Sequence, residues 1–465
     1  MPWFQCVIVS SEVGVAVSYQ KLRPIWVGSP KEARLTGELA EGANLSDNFD
    51  DLSDDDLIDL IIRNQRPSSG KAGSGDKASR QQLMMPVFYE FFAGGGMARA
   101  GLGPRWRCSF ANEIDQKKAS VYSANWGDAE LHVEDVANLT VADLPGTADL
   151  AWASFPCQDL SLAGAGAGLT GDRSGTFWPF WKLIEALADQ ARAPTLIVLE
   201  NVCGTLSSHQ GRDFARIAAG FAECGYRFGA FVIDAARFLP QSRRRVFILG
   251  ARENVPLPRR LFGVPDSRWH PRALVAAFER LDTQVAVRWV WWSMPSPTRS
   301  KVAFTDLIED HPVDVEWRSE AEINKLISMM SRVNLAKVRM AQRTGRRVVG
   351  SIYKRTRRDE AGKKVQRAEV RFDNIAGCLR TPVGGSSRQS IMLIEGDHIR
   401  SRLLSAREAA RLMGLPDDFK LPRNYNEAYH LAGDGVAVPV VRHLAAHLIE
   451  PLIEAQAESV SLAVA

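Results

Sequence analysis

The side chains able to do chemistry fall in short segments that each adjoin an apolar run. The first segment is Phe91-Phe92-Ala93-Gly94-Gly95-Gly96-Met97. Glycines after a strand let the backbone approach a ligand closely, and the start of a helix adds partial positive charge. The order is not Gly-x-Gly-x-x-Gly, and no Lys-Ser/Thr follows, so neither the dinucleotide fingerprint nor a phosphate-binding P-loop fits. A tight turn is the plain alternative. Glu113 ends the next apolar run, where a carboxylate can accept from ribose hydroxyls. Asp135, within Glu134-Asp135-Val136, follows a further apolar position and can accept from an adenine amine. Singly, each acid reads as an exposed strand-end residue; together they outline a nucleoside pocket.

Three more segments carry reactive or charged groups. In Ala153-Ser154-Phe155-Pro156-Cys157-Gln158 a cysteine follows an apolar strand and precedes a Gly/Ala-rich stretch, 159–175. A thiol on a loop at a sheet edge is a candidate nucleophile, whereas a buried one is inert packing. The flank has the composition of a lid that closes on substrate. Glu200, in Leu199-Glu200-Asn201-Val202, is placed to face the same cleft, or else is a partly solvated loop acid. In Gln241-Ser242-Arg243-Arg244-Arg245 the two-residue period of a strand puts Arg243 and Arg245 on one face and Arg244 on the other. Two guanidiniums on one face bind phosphate or steady an anionic intermediate; a solubilising edge is the alternative.

The pattern between these segments supplies their frame. Strands are predicted at 86–92, 106–112, 148–154, 195–199, 227–235 and 245–249, and helices at 116–125, 177–191 and 212–224. This alternation argues for an α/β fold with a doubly wound, largely parallel sheet, whose ligands sit at the carboxyl ends of strands. Past Arg252 the alternation breaks. Residues 253–400 hold Trp289, Trp291, Trp292 and many prolines, and read as a second, less regular domain. A helix follows Ser405, and 436–452 reads as a closing amphipathic helix.

Composition narrows the class. The chain has 465 residues, 45% hydrophobic and 24% charged, which excludes a fibrous or wholly disordered protein. At ~150 residues per domain its length suits two or three domains. The net charge of +4 is uninformative, but its distribution is not. Residues 41–60 hold eight acids and no base, while 332–372 hold fourteen Lys/Arg against three acids. The second tract reads as a surface for a polyanion, or as a solvated face. The six cysteines form no Cys-x-x-Cys pair, so no metal site is expected; they are too sparse for a disulfide scaffold and point to a reducing compartment. No uncharged apolar run reaches ~18 residues, so no membrane helix is expected. The start, with Glu12 early and no basic region, is a poor signal peptide. Residues 1–82, acidic and then a polar Gly/Ser/Lys linker at 64–82, read as an appendage, with a short helix expected at 57–62.

In order and spacing, these segments resemble the DNA cytosine-5 methyltransferases, which use S-adenosylmethionine. The glycine loop resembles the family's cofactor loop, Pro156-Cys157-Gln158 its nucleophile motif, Glu200-Asn201-Val202 its Glu-Asn-Val motif, and Gln241-x-Arg243-x-Arg245 its Gln-x-Arg-x-Arg motif. Arg407-Glu408-Ala409-Ala410-Arg411 through Gly414-Leu415-Pro416-Asp417 resembles the motif after the target-recognition region. Gly433-Asp434-Gly435-Val436 resembles the last cofactor motif. The resemblance covers about residues 86–450, apart from 253–400. It departs from the family pattern at Met97, usually glycine, and at Ile114, commonly aromatic. It departs again at Asp434-Gly435, usually Asn followed by Ser or Ala.

The resemblance implies a Rossmann-like methyltransferase sheet with a second, smaller irregular target-recognition domain. Residues 1–82 would be the appendage, 83–252 the catalytic domain, 253–428 the target-recognition domain, and 429–465 a helix returning to the catalytic domain. Cys157, Glu200, Arg243 and Arg245 would be catalytic. Phe92, Gly94, Gly96, Glu113, Ile114, Asp135, Val136, Pro156, Asp434, Gly435 and Val436 would bind S-adenosylmethionine. Gln158, Ser161, Arg380 and Thr381 would touch DNA, and Arg343, Arg346, Arg347, Lys354, Arg355, Arg357 and Arg358 its phosphates. Cys157 would add to carbon 6 of a flipped-out cytosine, which makes carbon 5 nucleophilic toward a methyl group. The implied partners are double-stranded DNA and a cognate restriction endonuclease linked by function only. The implied setting is a monomer in the cytoplasm, bacterial or phage-encoded and associated with the nucleoid, with no membrane. The alternatives are an RNA substrate, a non-catalytic DNA-binding regulator on the same fold, and a cysteine hydrolase. The hydrolase needs a histidine partner, for which His209 is the one candidate.

Overall fold

The computed structural model describes residues 10–11, 14–15, 85–156, 174–298, 302–358, 362–380 and 388–464. The chain divides into two units, 1–77 and 78–465. In the first, Ser10–Ser11 pairs antiparallel with Gly14–Val15. The helix expected at 57–62 and the linker at 64–82 lie outside the described residues.

Seven strands build the large sheet of the second unit: β1 (Val87–Phe91), β2 (Arg107–Asn112), β3 (Leu131–His132), β4 (Leu150–Ala153), β5 (Leu196–Val202), β6 (Tyr226–Asp234) and β7 (Arg244–Arg252). Their order is β3-β2-β1-β4-β5-β7-β6. The first five in that order run parallel, and β7 runs antiparallel to both of its neighbours. The strand-length apolar runs therefore became strands. β5 continues three residues beyond its expected end, because Glu200, Asn201 and Val202 pair with Phe247, Val246 and Arg245.

Side-chain alternation divides the core between the two faces of this sheet. Phe88, Trp152, Val198 and Leu249 point to one face, with helices α1 (Met97–Leu102) and α2 (Gln116–Trp126). Tyr89, Phe91, Ala153, Leu199 and Ile248 point to the other, with α3 (Phe177–Asp189) and α4 (Arg212–Glu223). Covering both faces is what a mainly parallel sheet requires.

Between residues 347 and 403 the chain forms a second, four-stranded antiparallel sheet. Its strands are β8 (Arg347–Arg358), β9 (Lys364–Arg371), β10 (Ser390–Glu395) and β11 (His398–Leu403), in the order β9-β8-β10-β11. Val349, Ile391 and Leu393 on one face share the core of the large sheet. Ile352, Met392 and Ile394 on the other face pack with residues of α5 (Glu320–Ser328) and α6 (Arg332–Arg343).

The chain then returns to the large sheet through α7 (Ala406–Leu412), α8 (Tyr425–Asp434), α9 (Val438–Leu444) and α10 (Glu450–Val464). α9 lies directly on α1, so closely that a Cβ at Gly101 would come within 2.3 Å of Val441 Cβ. By length and composition alone, Tyr425–Leu462 could cross a membrane. Its Tyr429, Leu431, Val441, Leu444, Leu448 and Leu452 instead fill the core.

One buried ion pair joins the second sheet to these helices. Arg402 on β11 grips Glu408 on α7 with two hydrogen bonds, 2.7 Å and 2.6 Å long, and neither side chain has solvent exposure. Glu408 also accepts from the backbone of Glu309 and Ser405, and Arg402 donates to the Glu309 carbonyl. Removing one partner of such a pair strands the other charge, at a cost of about 3–5 kcal/mol. Arg402→Met is therefore expected to lower the urea midpoint strongly. Arg402→Met with Glu408→Leu should recover much of that loss. Recovery tests the stranded charge as the cause; a double variant as unstable as the single would reject it.

Candidate active site

The carboxyl ends of β1, β2 and β4 meet at one edge of the large sheet, and the nucleoside-type residues gather there. The loop after β1 turns sharply: Phe92, Gly94 and Gly96 all have left-handed backbones, with φ of 56°, 57° and 79°. Gly96 must lack a side chain, since a Cβ would sit 2.3 Å from Trp126 Nε1. A Cβ on Gly94 would meet nothing within 4 Å, so space lies open above it. Glu113 holds the loop in place: one oxygen accepts from Gly94 N at 2.7 Å and the other from Asp115 N at 2.8 Å. Beside it Ile114, at 62% exposure, presents an apolar side chain to solvent. Asn112 donates to the Glu134 carbonyl at 2.8 Å, which brings Asp135 alongside. Asp135 Oδ1 takes Ala137 N, with Val136 buried behind. The far end of the chain returns here: Lys118 donates to Asp434 at 2.8 Å, and Gly435 lies against Met97. Val436 is buried beneath. A carboxylate, an exposed apolar side chain and a glycine with open space make a set that suits a nucleoside: a ribose for the acid and a flat ring for the isoleucine.

The charged groups converge two strands away. Gln241–Arg245 lies at the amino end of β7, not at a carboxyl end. It reaches the same edge because β7 runs antiparallel and pairs Arg245 with Val202. Glu200, 5% exposed, has its Oε1 3.1 Å from Arg245 Nε. Burial pushes the Glu200 carboxyl above its usual range, although Arg245, Arg243 and Ser154 pull it back. It is therefore biased toward carrying a proton. One residue along β5, Asn201 donates to the Phe155 carbonyl at 3.1 Å and so fixes the approach to Pro156. Cys157, Gln158, Ser161 and Thr381 lie outside the described residues, as does the segment expected to form a lid. His209, weighed as a hydrolase partner, pairs with Asp213 at 3.0 Å.

Arg243 and Arg245 share a face, as the strand period requires, but they differ in what they hold. Arg243 is 2% exposed. Its Nη2 donates to the carbonyls of Gly433 (3.0 Å) and Gly435 (2.7 Å), and its Nη1 to Leu379 O at 3.3 Å. It is a strut joining the 433–435 segment to residues 378–379. Arg244, as expected, points the other way and pairs with Asp234 at 3.2 Å. Gln241, fully buried, donates to Leu412 O at 2.6 Å and fastens this corner to α7.

Sequence reasoning missed Cys378, whose Sγ lies 3.6 Å from Arg243 Nη1 and 4.0 Å from Arg245 Nη1. Burial opposes its ionisation, but the two guanidiniums hold its thiol below the usual value. Nothing near it in the chain marks it out. A cleft of about 860 Å³ opens beside it, lined by Lys337, Lys354, Arg355, Arg357, Arg371 and Arg380 among others. Of the basic tract, Lys354, Arg355, Arg357 and Arg358 are exposed on β8, and Arg343 and Arg346 are exposed just before it. Arg347 pairs with Asp310 at 2.8 Å.

The family described as C-5 cytosine-specific DNA methylase matches residues 87–450. A Type II methyltransferase of Bacillus subtilis is 24% identical over 402 residues, spanning 85% of this chain and 80% of its own. One from Neisseria lactamica is 27% identical over 360 residues, 77% of this chain and 94% of its own. One from Haemophilus parainfluenzae is 25% identical over 392 residues, 79% and 90%. Among solved structures, a methyltransferase of Entamoeba histolytica is similar in fold, with a TM-score of 0.53 at 12% identity, over 80% of this chain and 98% of its own.

A second buried acid lies under the glycine loop. Glu90 on β1 is enclosed; Oε1 accepts from Arg99 N at 3.3 Å, and Oε2 has no hydrogen-bond partner. Burial above all lifts its carboxyl to about 8, against the helix N–H groups that favour the charged form. Between the ordinary value near 4.5 and about 8 the folded protein keeps a proton that the unfolded chain releases. Stability therefore falls as pH rises through that window and levels off above it. Glu90→Gln should flatten this slope, so that urea unfolding at pH 5 and pH 9 separates wild type from variant at the higher pH. An unchanged slope would rule out Glu90 as its source.

Proposed function

Because this chain belongs to the C-5 cytosine-specific DNA methylases, we propose that it methylates carbon 5 of a flipped-out cytosine in one short sequence of double-stranded DNA. The methyl source is S-adenosylmethionine, and the reaction passes through a covalent bond to Cys157. The observation that carries the reading is the buried Glu200 carboxyl. It is biased toward its neutral form, lies beside Arg245, and is one residue from the Asn201 that holds the chain leading to Cys157.

Carbon 5 of cytosine is a weak nucleophile. The Cys157 thiolate forms a bond to carbon 6, and the displaced electron pair runs to ring nitrogen 3. Glu200 donates its proton there, which a carboxyl of ordinary acidity would not hold. Arg245 steadies the exocyclic oxygen and the adduct. The cofactor, when bound, supplies an electrophilic methyl group to carbon 5. Water then takes the carbon 5 proton, the electron pair of that bond forms the carbon 5–carbon 6 double bond, Cys157 leaves as thiolate, and Glu200 regains its proton from ring nitrogen 3. Glu113, Ile114 and Asp135 hold the ribose and adenine, and Phe92, Gly94, Gly96, Pro156 and the 434–436 segment line the rest of the pocket. Arg243 acts through the segments that it braces.

The reading gives 83–252 and 429–465 the chemistry, and 253–428 the recognition of DNA. The basic cleft receives phosphates, while Arg380, Thr381, Gln158 and Ser161 reach toward the bases and the gap left by the flipped one. The Type II relatives support a role beside a restriction endonuclease that recognises the same site. The enzyme acts as a monomer.

Two tests follow. Duplex DNA bearing 5-fluorocytosine cannot release its carbon 5 substituent, so wild type should form a covalent complex that survives denaturing electrophoresis, and Cys157→Ala should form none. Glu200→Gln should methylate about 10²–10⁴-fold more slowly. Methyl transfer by Cys157→Ala would reject the mechanism; transfer to RNA rather than DNA, or DNA binding without transfer, would reject the substrate or the activity. Arg355→Ala and Arg357→Ala should each weaken DNA binding and reduce the salt slope by about one unit. An unchanged slope would move the phosphate path elsewhere.

A further inference from the structure

The departures at Met97, Asp434 and Gly435 are linked in space. Gly435 has φ −72° and ψ 171°, a backbone that any residue adopts. Nothing in its conformation calls for glycine. Yet a Cβ there would lie 2.1 Å from Met97 Sδ and 2.8 Å from its Cε. Met97 begins α1 directly after the glycine loop, and only 2% of it is exposed. The thioether therefore occupies the space that a side chain at 435 would need. Asp434 also has a counterpart: Lys118 Nζ stands 2.8 Å from Oδ2, with Glu113 and Asp115 close to the same ammonium. Arg243 meanwhile holds the carbonyls of Gly433 and Gly435 from behind.

The geometry points to two matched pairs, Met97 with Gly435 and Lys118 with Asp434, that together position the 433–436 segment as one wall of the cofactor site. Cofactor affinity then depends on the pairs and not on any one of the four residues. A neutral residue at 434 leaves Lys118 without its nearest carboxylate, and a methyl at 435 displaces the sulfur. The thioether is flexible and can move, but it is enclosed and belongs to the residue that follows Gly96, so its displacement disturbs the loop. This rests on the cofactor reading above and deepens it, since these positions would otherwise suggest a weakened site.

The test is calorimetric titration of S-adenosylmethionine into wild type, G435A, M97A and the double variant, with thermal midpoints recorded for each. G435A should raise Kd about tenfold, and M97A/G435A should return to within about threefold of wild type. K118M and D434N should each weaken binding, and together by less than the product of their separate effects. That second coupling should shrink in high salt while the first does not. A wild-type Kd in G435A, or fully multiplicative effects in both doubles, overturns the proposal. If G435A does not fold, rescue of folding by M97A supports the first pair and failure to rescue rejects it. Wild type that does not bind S-adenosylmethionine refutes the proposed function instead, which keeps the two failures apart.

Discussion

The pairing of β5 with an antiparallel β7 is the constraint from which the rest of the candidate site follows. A parallel β7 would carry its opening arginines to the opposite edge of the sheet. Run antiparallel, it sets Arg245 across from Val202 and puts a guanidinium within 3.1 Å of Glu200. The same pairing extends β5 through Glu200 and Asn201, so both residues take fixed strand positions. Asn201 can then hold the Phe155 carbonyl and connect this pair to the loop that leads to the cysteine.

Buried arginines fasten the remaining parts. Arg243 reaches carbonyls from two regions about 55 residues apart in the chain, 379 and 433–435, with a guanidinium that stays charged in protein interiors and offers a planar fan of donors. Arg402 does the same between β11 and α7 through Glu408. Such groups contribute modest net stability but are costly to leave unmatched, so they define geometry more than they add strength. Acids enclosed without full compensation, Glu200 and Glu90, are pushed toward the neutral form. For Glu200 that is the state a proton donor needs.

The second sheet joins a structural face to a basic one. Its inner face shares the core of the large sheet, while β8 and β9 carry exposed arginines toward the cleft beside Cys378. Arg355 and Arg357 both lean on Glu369 across the hairpin, at 3.5 Å and 2.5 Å, which sets their spacing without cancelling their charge.

The order of residues alone determined six of the seven strands of the large sheet, because they are apolar runs of the right length, and it marked the edge where Glu113, Glu200 and Arg245 lie. It also set Arg243 and Arg245 on one face, because strand periodicity is local. The hairpin of β8 and β9 was not legible: Arg347–Arg358 has no apolar alternation past Ile352, since the end of that strand faces solvent. Nor could local pattern reveal that Glu200 is enclosed, that Arg243 braces distant backbone carbonyls, that Cys378 sits beside two guanidiniums, or that Met97 takes the space of a side chain at 435. Each of these depends on contacts between segments far apart in the chain. Burial and charge pairing arise only when the sheet closes and α8 and α9 return to it, so the tertiary structure alone decided them.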